Sequence, residues 1–393
     1  MSRVAFVVPR YGAEIGGGAE EECRRLAELL ADEVEVTVLT SCALDYRTWA
    51  DHYAAGEEVA AGVRVLRFGV TAPRDLAAFD ALSAEAYARP ADLELGRRWL
   101  RAQGPDAPGI AAHLREHGAD YDAVVALPYL YAPAADALAV AGTRSVLVPL
   151  AHEEPPLRLA VFDELYRQPG VLVFNTPEER AIVERRFGVD DRPRFTIPLA
   201  VDEPPPSDPD RFRRRYGIPG PYLLALGRIE PAKGSDLVLA RFAELRARRP
   251  DLRLVLAGRP HMPLDDAIDG VIVTGYVDEQ TKHDALAGAD VVLLASPFES
   301  LSIVALEAWS HARPTLANAV SDVLVGQSRR SGGGLWFADP YEFHATLALL
   351  LDHPPLAAAL GAQGRRFVTA AGGWDAVRRA WLEVLASVPR AAP

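Results

Sequence analysis

The chain reads as an α/β protein built from two Rossmann-like, doubly wound parallel-sheet domains. Three observations predict this. Apolar runs alternate with amphipathic stretches from end to end. Many of the runs are continuous Val, Leu and Ile, the mark of strands covered by helices on both faces. The alternation breaks once, near the middle, at an acidic and proline-rich stretch, so each half is long enough to be its own domain.

In the first half, strands are expected at Val4–Val8, Val34–Leu39, Val63–Phe68, Ala123–Ala126, Ser145–Leu150 and Val171–Phe174. After Pro198 they resume at Tyr222–Ala225, Leu252–Ala257, Val271–Thr274, Val291–Ala295 and Pro314–Ala317. Between the two sets lies LAVDEPPPSDPDRF, residues 199–212. Proline removes backbone donors and fixes φ, so this stretch reads as a linker. The domains are then 1–200 and 213–373. The last segment, Gly373–Val388, carries Trp374, Val377, Trp381, Val384 and Leu385 at helical spacing. By pattern alone it packs on either half.

With 393 residues, two or three domains of roughly 150 residues are expected. The 49% hydrophobic content is enough for sizeable cores. No stretch approaches the ~18 uninterrupted apolar residues of a membrane span. The opening MSRVAFVVPRYG is broken by Pro9 and Arg10 and reads as a strand, not a signal peptide. A cytoplasmic protein is expected. The net charge of −12 argues against nucleic acid as a partner, because phosphate backbones demand a basic face. Cys23 and Cys42 have no metal-ligand spacing and read as idle or buried thiols. The arginine runs at 213–215 and at 246, 248 and 249 read as solvated faces. Arg97, Arg98 and Arg101 beside Trp99 read the same way, with peripheral membrane contact as the other option.

Open α/β sheets bind ligands beyond the carboxyl ends of their strands, so the segments that follow strands carry the chemistry. After the first strand, Gly16, Gly17 and Gly18 end a loop and a helix begins at Ala19. Glycines admit close backbone approach, and free amides at a helix start favour an anion. An ordinary tight turn reads equally from these residues, and neither GxGxxG nor GKS/GKT is present. In the second half, GRIEPAKG puts Arg228 at a strand exit and Lys233 just before a helix of about four turns. Two cations there suit a diphosphate, Arg as a planar fork and Lys as a point charge. Solvated surface cations are the alternative.

The segment ESLSIVALEAW, residues 299–309, follows the apolar run VVLLASPF. It sets Glu299 in a turn and Glu307 inside a helix expected to start near Ser302. The amides of Leu301, Ser302 and Ile303 are expected to be free to meet a phosphate. Carboxylates accept paired hydrogen bonds from vicinal diols, which suits a sugar. In the first half, His152 follows SVLVPLA and can exchange a hydrogen bond with a sugar hydroxyl near neutral pH. A loop histidine without a role is the alternative. Neighbouring Glu153 and Glu154 either hold its tautomer or are simply solvated.

The order of these pieces resembles the retaining glycosyltransferases of family 4, with the GT-B fold of two Rossmann-like domains facing across a cleft. The resemblance covers essentially the whole chain. It rests on GGGAE at 16–20, PLAVD at 198–202, GRIEPAKG at 227–234, AGR at 257–259, GYV at 275–277 and the E-x7-E spacing of Glu299 and Glu307. A narrower bacterial subgroup shares AHEEPPL, FNTPEE and DVLVGQSRRSGGGLWF. Two departures stand out: Leu301-Ser302 where the family usually has Phe-Gly, and Arg313-Pro314 where Gly-Pro is usual.

By motif position, the resemblance implies that Arg228 and Lys233 hold the donor diphosphate together with the amides of Leu301 to Ile303. It implies that Glu307 binds the ribose diol and that Glu299 and His152 contact the transferred sugar. Gly17 and Gly18 would approach the phosphate or the acceptor, and backbone near Arg259 and Val277 would frame the base. The closing helix, 374–393, would cross back to the first domain. No metal and no cofactor are implied. The substrates would be a UDP- or GDP-type nucleotide sugar and a hydroxyl acceptor, whether glycan, lipid carrier or small molecule. Two rival functions share such a fold: a nucleotide-sugar epimerase and a non-catalytic nucleotide-sugar binder.

Overall fold

A computed structural model describes residues 2–189, 191–264 and 269–389. The chain divides into two compact units, Met1–Leu199 with Val377–Pro393, and Ala200–Ala376. The first division falls at the start of the expected linker. That linker is shorter than the sequence suggested. Asp208 accepts from the amides of Asp210 and Arg211, and the helix Pro209–Tyr216 starts there. Phe212, assigned to the linker, is buried in that helix.

Among the described residues the first unit holds eight strands: β1 (Arg3–Val7), β2 (Glu35–Ser41), β3 (Gly56–Ala60), β4 (Val63–Phe68), β5 (Ala123–Ala126), β6 (Ser145–Leu147), β7 (Val171–Phe174) and β8 (Arg194–Thr196). Their order is β3-β4-β2-β1-β5-β6-β7-β8. Every pairing is parallel except the β3/β4 hairpin. That hairpin turns on Ala61 and Gly62, both at positive φ, which matches the right-handed twist of a two-residue turn. β5 and β7 are buried at every residue, which accounts for their unbroken apolar sequence. The chain leaves β1 toward β2 on one side and later places β5 on the other, so the order reverses between β1 and β5.

The helix Gly373–Ser387 begins in one unit and ends in the other. Trp381 and Val384 are buried, and the Trp381 ring lies 6.2 Å from that of Phe6 on β1. Burying a side chain of this kind contributes on the order of 2–3 kcal/mol. The closing residues 390–393 fall outside the described residues.

The second unit holds β9 (Tyr222–Leu226), β10 (Arg253–Ala257), β11 (Val271–Gly275), β12 (Val291–Leu294), β13 (Thr315–Asn318) and β14 (Gly334–Phe337). Their order is β11-β10-β9-β12-β13-β14, all parallel. Here the winding reverses between β9 and β12. Such a point opens a crevice beyond the strand ends, because the connections on either side leave in opposite directions.

Two readings of the arginines are corrected. Arg213 is no solvated surface residue: it donates to the carbonyls of Gly220 and Gly288 and lies over the Tyr222 ring. Arg246 is tied to Asp269 at 2.8 Å and to the Pro250 carbonyl. Cys23 and Cys42 are both buried and free. Among the described residues no single helix is long and apolar enough to cross a membrane. Pro340–Asp352 and Pro354–Ala370 reach that length only jointly, across a 97° bend.

Candidate functional site

Arg228 and Lys233 leave the end of β9, and Glu299 leaves the end of β12, so all three stand at the reversal point of the second sheet. The loop that carries the cations is tightly built. Ser235 Oγ accepts from the Glu230 amide at 3.1 Å, and the Glu230 carbonyl accepts from Lys233 and Ser235. Gly234 follows at φ 72°, a conformation that costs an L side chain energy. A Cβ there would also lie 2.3 Å from the carbonyl oxygen of Ala295, just past β12. Glycine at 234 therefore lets the loop after β9 rest directly on the exit of β12.

This contact brings the distant motifs together. Lys233 Nζ lies 2.8 Å from Glu299 Oε1, and Arg228 lies 3.2 Å from Glu230 Oε1. Lys233 and Arg228 stay about a third exposed, whereas Glu299 and Glu230 are mostly covered. Partly exposed pairs of this kind are worth only about 0–1 kcal/mol, so an arriving dianion can redistribute them at little cost. Ile229 and Arg259 are joined through backbone: the Ile229 amide donates to the Arg259 carbonyl at 3.0 Å. The exposed Arg259 guanidinium lies 5.3 Å from the Tyr276 ring, beside Val277. The segments expected to frame a base thus adjoin the loop that carries Arg228.

The turn after Glu299 differs from expectation in one respect. Ser302 caps the helix Ile303–Ser310, its Oγ accepting from the Ala305 amide at 3.3 Å. Its own amide is not free: it donates to Gln327 Oε1 at 2.9 Å. Gln327 is buried on the next helix, Asp322–Ser331, and a side-chain carboxamide satisfies an orphan helix-start donor as well as an anion would. Among the described residues, the amides of Leu301 and Ile303 have no such partner. Of the three amides expected to meet a phosphate, two are therefore uncommitted. The Ser302 side chain, committed to the cap and 4% exposed, does not project into the approach to them.

Glu307 lies on the Ile303–Ser310 helix as expected, but it is already engaged. Its Oε1 is 2.6 Å from Lys282 Nζ, on the helix Glu279–Gly288. Lys282 also reaches Glu279 at 2.8 Å. Burial pulls its ammonium down, yet the two carboxylates outweigh that and the net shift is upward, so it stays charged. Next to this pair, His283 Nδ1 and His311 Nε2 are 2.9 Å apart. Burial, then the neighbouring His283, pushes His311 down to about 4, so it is neutral near pH 7.

In the first unit, the glycine loop follows β1 at that sheet's reversal point. Gly17 is the N-cap of the helix Gly18–Leu30. A Cβ at Gly17 would collide with Glu20, whose carboxylate is gripped by Arg10 at 2.5 Å. Arg10, almost wholly buried, also donates to the Leu44 carbonyl and holds this loop. Gly18 has open space around it, so close packing does not account for glycine there.

His152 follows β6, and its Nδ1 lies 3.2 Å from Glu154 Oε1. Glu153 is exposed, whereas Glu154 also accepts from the Tyr129 hydroxyl at 2.9 Å. Burial pushes Glu154 up to about 8, against the pull of that hydrogen bond. Two further carboxyls lie under this edge of the sheet. Glu22 accepts from Asn175 Nδ2 at 2.8 Å and is raised by burial to about 7. Glu179 accepts from the amides of Ala151 and Asn175 and is raised by burial to about 8. Among the described residues, no three His, Cys, Asp or Glu side chains converge as a metal site would require.

Comparison with known proteins meets this geometry from outside. Residues 220–353, which span the β9–β14 sheet, match the family model for glycosyl transferases group 1. That match covers about a third of the chain, the segment that carries Arg228, Lys233, Glu299 and Glu307. The chain is 33% identical over 264 residues to a D-inositol 3-phosphate glycosyltransferase of Kineococcus radiotolerans, covering 59% of this chain and 60% of that one. It is 29% identical over 199 residues to a mannosylfructose-phosphate synthase of Agrobacterium fabrum, covering 45% and 43%. The chain thus spans less than two thirds of the length of these relatives.

The fold likeness is longer. Sucrose-phosphate synthase from Thermosynechococcus elongatus superposes with a TM-score of 0.73 at 19% identity, covering 98% of each chain. Anabaena HepE, in complex with UDP and glucose, superposes with a TM-score of 0.71 at 15% identity, covering 98% of this chain and all of that one. The paired parallel-sheet units are therefore the GT-B architecture of these glycosyltransferases.

Three residues at these two places were not singled out as site residues in the sequence: Lys282, Gln327 and Arg10. Lys282 lies 25 positions from Glu307 and Gln327 lies 25 from Ser302, on separate helices, so no local spacing links either pair. Arg10 stood out only as a charge that broke an apolar run. Its partner Glu20, inside GGGAE, was the signal available.

Proposed function

We propose that this protein is a retaining glycosyltransferase that moves a sugar from a nucleoside-diphosphate sugar to an acceptor hydroxyl. One observation carries the reading: Lys233, which shares the loop after β9 with Arg228, meets Glu299 of a motif far away in sequence at the β9/β12 reversal point, in the turn that carries two uncommitted helix-start amides. Cations and amides there suit a pyrophosphate, and the neighbouring carboxylates suit sugar hydroxyls. The match of this segment to the family model for glycosyl transferases group 1 and the transferase names of the sequence relatives support transfer over epimerisation.

Each residue then has a task. Arg228 and Lys233 hold the diphosphate and offset the charge that grows as it departs, with the Leu301 and Ile303 amides at its other side. Glu299 turns from Lys233 to hydroxyls of the transferred sugar. Glu307, steadied by Lys282, takes the ribose diol. Backbone near Arg259 and Val277 frames the base. In the first unit, His152 contacts the transferred sugar, and the Gly17–Gly18 loop approaches the phosphate or the acceptor.

No carboxylate is assigned as a covalent nucleophile; the departing phosphate accepts the acceptor's proton on the face it leaves. The two cations supply the neutralisation that a metal supplies elsewhere, which makes the proposed reaction metal-independent. A charged, membrane-impermeant donor favours a cytoplasmic setting. The UDP and glucose bound to HepE make UDP-glucose the first donor to test, with GDP-sugars next.

The deciding experiment incubates the purified protein with UDP-glucose, or a GDP-sugar, and a panel of phosphorylated and unphosphorylated polyols, and follows product by mass spectrometry and NMR. A product with the donor's anomeric configuration is expected. Release of an epimerised nucleotide sugar without acceptor would overturn the reading.

A further inference from the structure

We propose that Gln327 is a positioning residue for donor binding, one that sets the diphosphate-facing turn by clasping the backbone of Ser302. The inference rests on the donor-site reading and deepens it.

Gln327 is 3% exposed. Its Oε1 accepts from the Ser302 amide at 2.9 Å, and its Nε2 donates to the Ser302 carbonyl at 3.4 Å. Both poles of one carboxamide are thus matched to both poles of one residue's backbone, as a neighbouring strand would match them. The helix that presents Gln327, Asp322–Ser331, is itself fixed: Ser321 caps it, and Val323 and Leu324 are buried.

A second carboxamide works at the other end of the same turn. Asn318, the last residue of β13, donates to the Ala295 carbonyl at 3.0 Å, the oxygen against which Gly234 packs. The stretch from Ser296 to Leu301 is therefore pinned at one end by the last residue of the neighbouring strand and at the other by the helix that follows it. Ser296 braces its middle by donating to the Phe298 carbonyl at 2.9 Å. Glu299 and Leu301 project from this braced turn.

The clasp has a consequence for the ligand. Because the Ser302 amide is spent on Gln327, an anion at this helix start meets Leu301 and Ile303 on either side of a fixed residue. Their directions follow from the orientation that Gln327 imposes. Without the side chain, the Ser302 amide loses its partner, its carbonyl keeps only the Leu306 amide at 3.5 Å, and the turn gains freedom that ligand binding must then remove.

Calorimetric titration of UDP and of GDP tests this on the full chain, with melting temperature read in parallel. Gln327→Ala is expected to weaken binding of the preferred nucleotide about tenfold, the scale of one lost hydrogen bond to a charged-ligand site. Gln327→Glu keeps the shape and the acceptor for the Ser302 amide but loses the donor to its carbonyl. It is expected to bind severalfold more weakly than the unsubstituted chain yet better than Gln327→Ala, and it decides the matter alone should the alanine variant not fold.

Leu324→Ala, in the same helix and equally buried, is the control. It is expected to lower the melting temperature without changing affinity. The inference is overturned if the Gln327 variants bind as tightly as the unsubstituted chain. It is equally overturned if Leu324→Ala weakens binding as much as Gln327→Ala does. If the unsubstituted chain binds neither nucleotide, the donor-site reading fails and this inference falls with it.

Discussion

Lys233 Nζ and Glu299 Oε1 stand 2.8 Å apart across 66 residues of sequence, joining the loop after β9 to the turn after β12. The partial exposure of the pair keeps it weak. Lys233 is thus held at the reversal point without being locked there. In the proposed reaction a diphosphate takes the ammonium while Glu299 turns to a hydroxyl.

Lys233→Ala should lower turnover by on the order of 10²–10³, the scale of one lost electrostatic contact to a developing charge. Stability should change little, because the pair contributes at most about 1 kcal/mol. Steady-state kinetics beside a thermal melt checks both; unchanged turnover removes Lys233 from the site.

Lys282 and Glu307 behave differently, because both are largely covered. Lys282→Ala leaves Glu307 without its cation, which should destabilise the second unit by about 1–3 kcal/mol. Glu307→Gln keeps a hydrogen bond to Lys282 and should melt close to the unsubstituted chain, while binding the nucleotide more weakly. A chemical denaturation series together with nucleotide titration separates these outcomes. Loss of stability in Glu307→Gln with affinity intact would assign the pair to structure alone.

Gly234→Ala meets both a positive φ and a carbonyl oxygen 2.3 Å from the added carbon. The backbone conformation alone costs about 1–2 kcal/mol for an L residue, and the clash adds to it. Lower melting temperature and loss of nucleotide binding are expected together. Separation of β9's loop from Ala295 would part Lys233 from Glu299.

The first unit should be sensitive to alkali. Burial raises Glu22 to about 7 and Glu154 and Glu179 to about 8, from an ordinary value of 4.5. Between those limits the folded chain holds protons that the unfolded chain has released, so stability falls as pH rises through the window. Melting temperatures should be lower at about pH 8.5 than at about pH 6, and Glu22→Gln should flatten the difference. A melting temperature that climbs across this range would show that these carboxyls are ionised in the fold.

Much of this architecture was legible because burial writes itself into sequence. Covered on both faces, β5, β7 and β12 could be nothing but apolar, and their runs fixed their places. β3 was missed for the opposite reason. It is an edge strand, GEEVA, exposed along four of its five residues, and only the Ala61–Gly62 turn pins it to β4. β8 and β14 are short edge strands with little periodicity to read.

At the site, residues at strand exits were readable because position and chemistry coincide there: Arg228, Lys233, Glu299. Their partners were not. Lys282 and Gln327 are brought in by helix packing, and hydrophobic spacing gives no account of which polar side chain a helix turns toward a neighbour. The misjudged Ser302 amide follows from the same blindness.

The central claim is that the β9/β12 reversal point binds a nucleoside diphosphate between Arg228 and Lys233. Calorimetric titration of UDP and GDP into the unsubstituted protein and into an Arg228→Ala, Lys233→Ala double variant tests it most directly. One nucleotide should bind the unsubstituted protein saturably, with affinity reduced at least about a hundredfold in the folded double variant, since each contact to a charged group is worth about 1.5–3 kcal/mol. Equal binding by both proteins, or none by either, would contradict the claim.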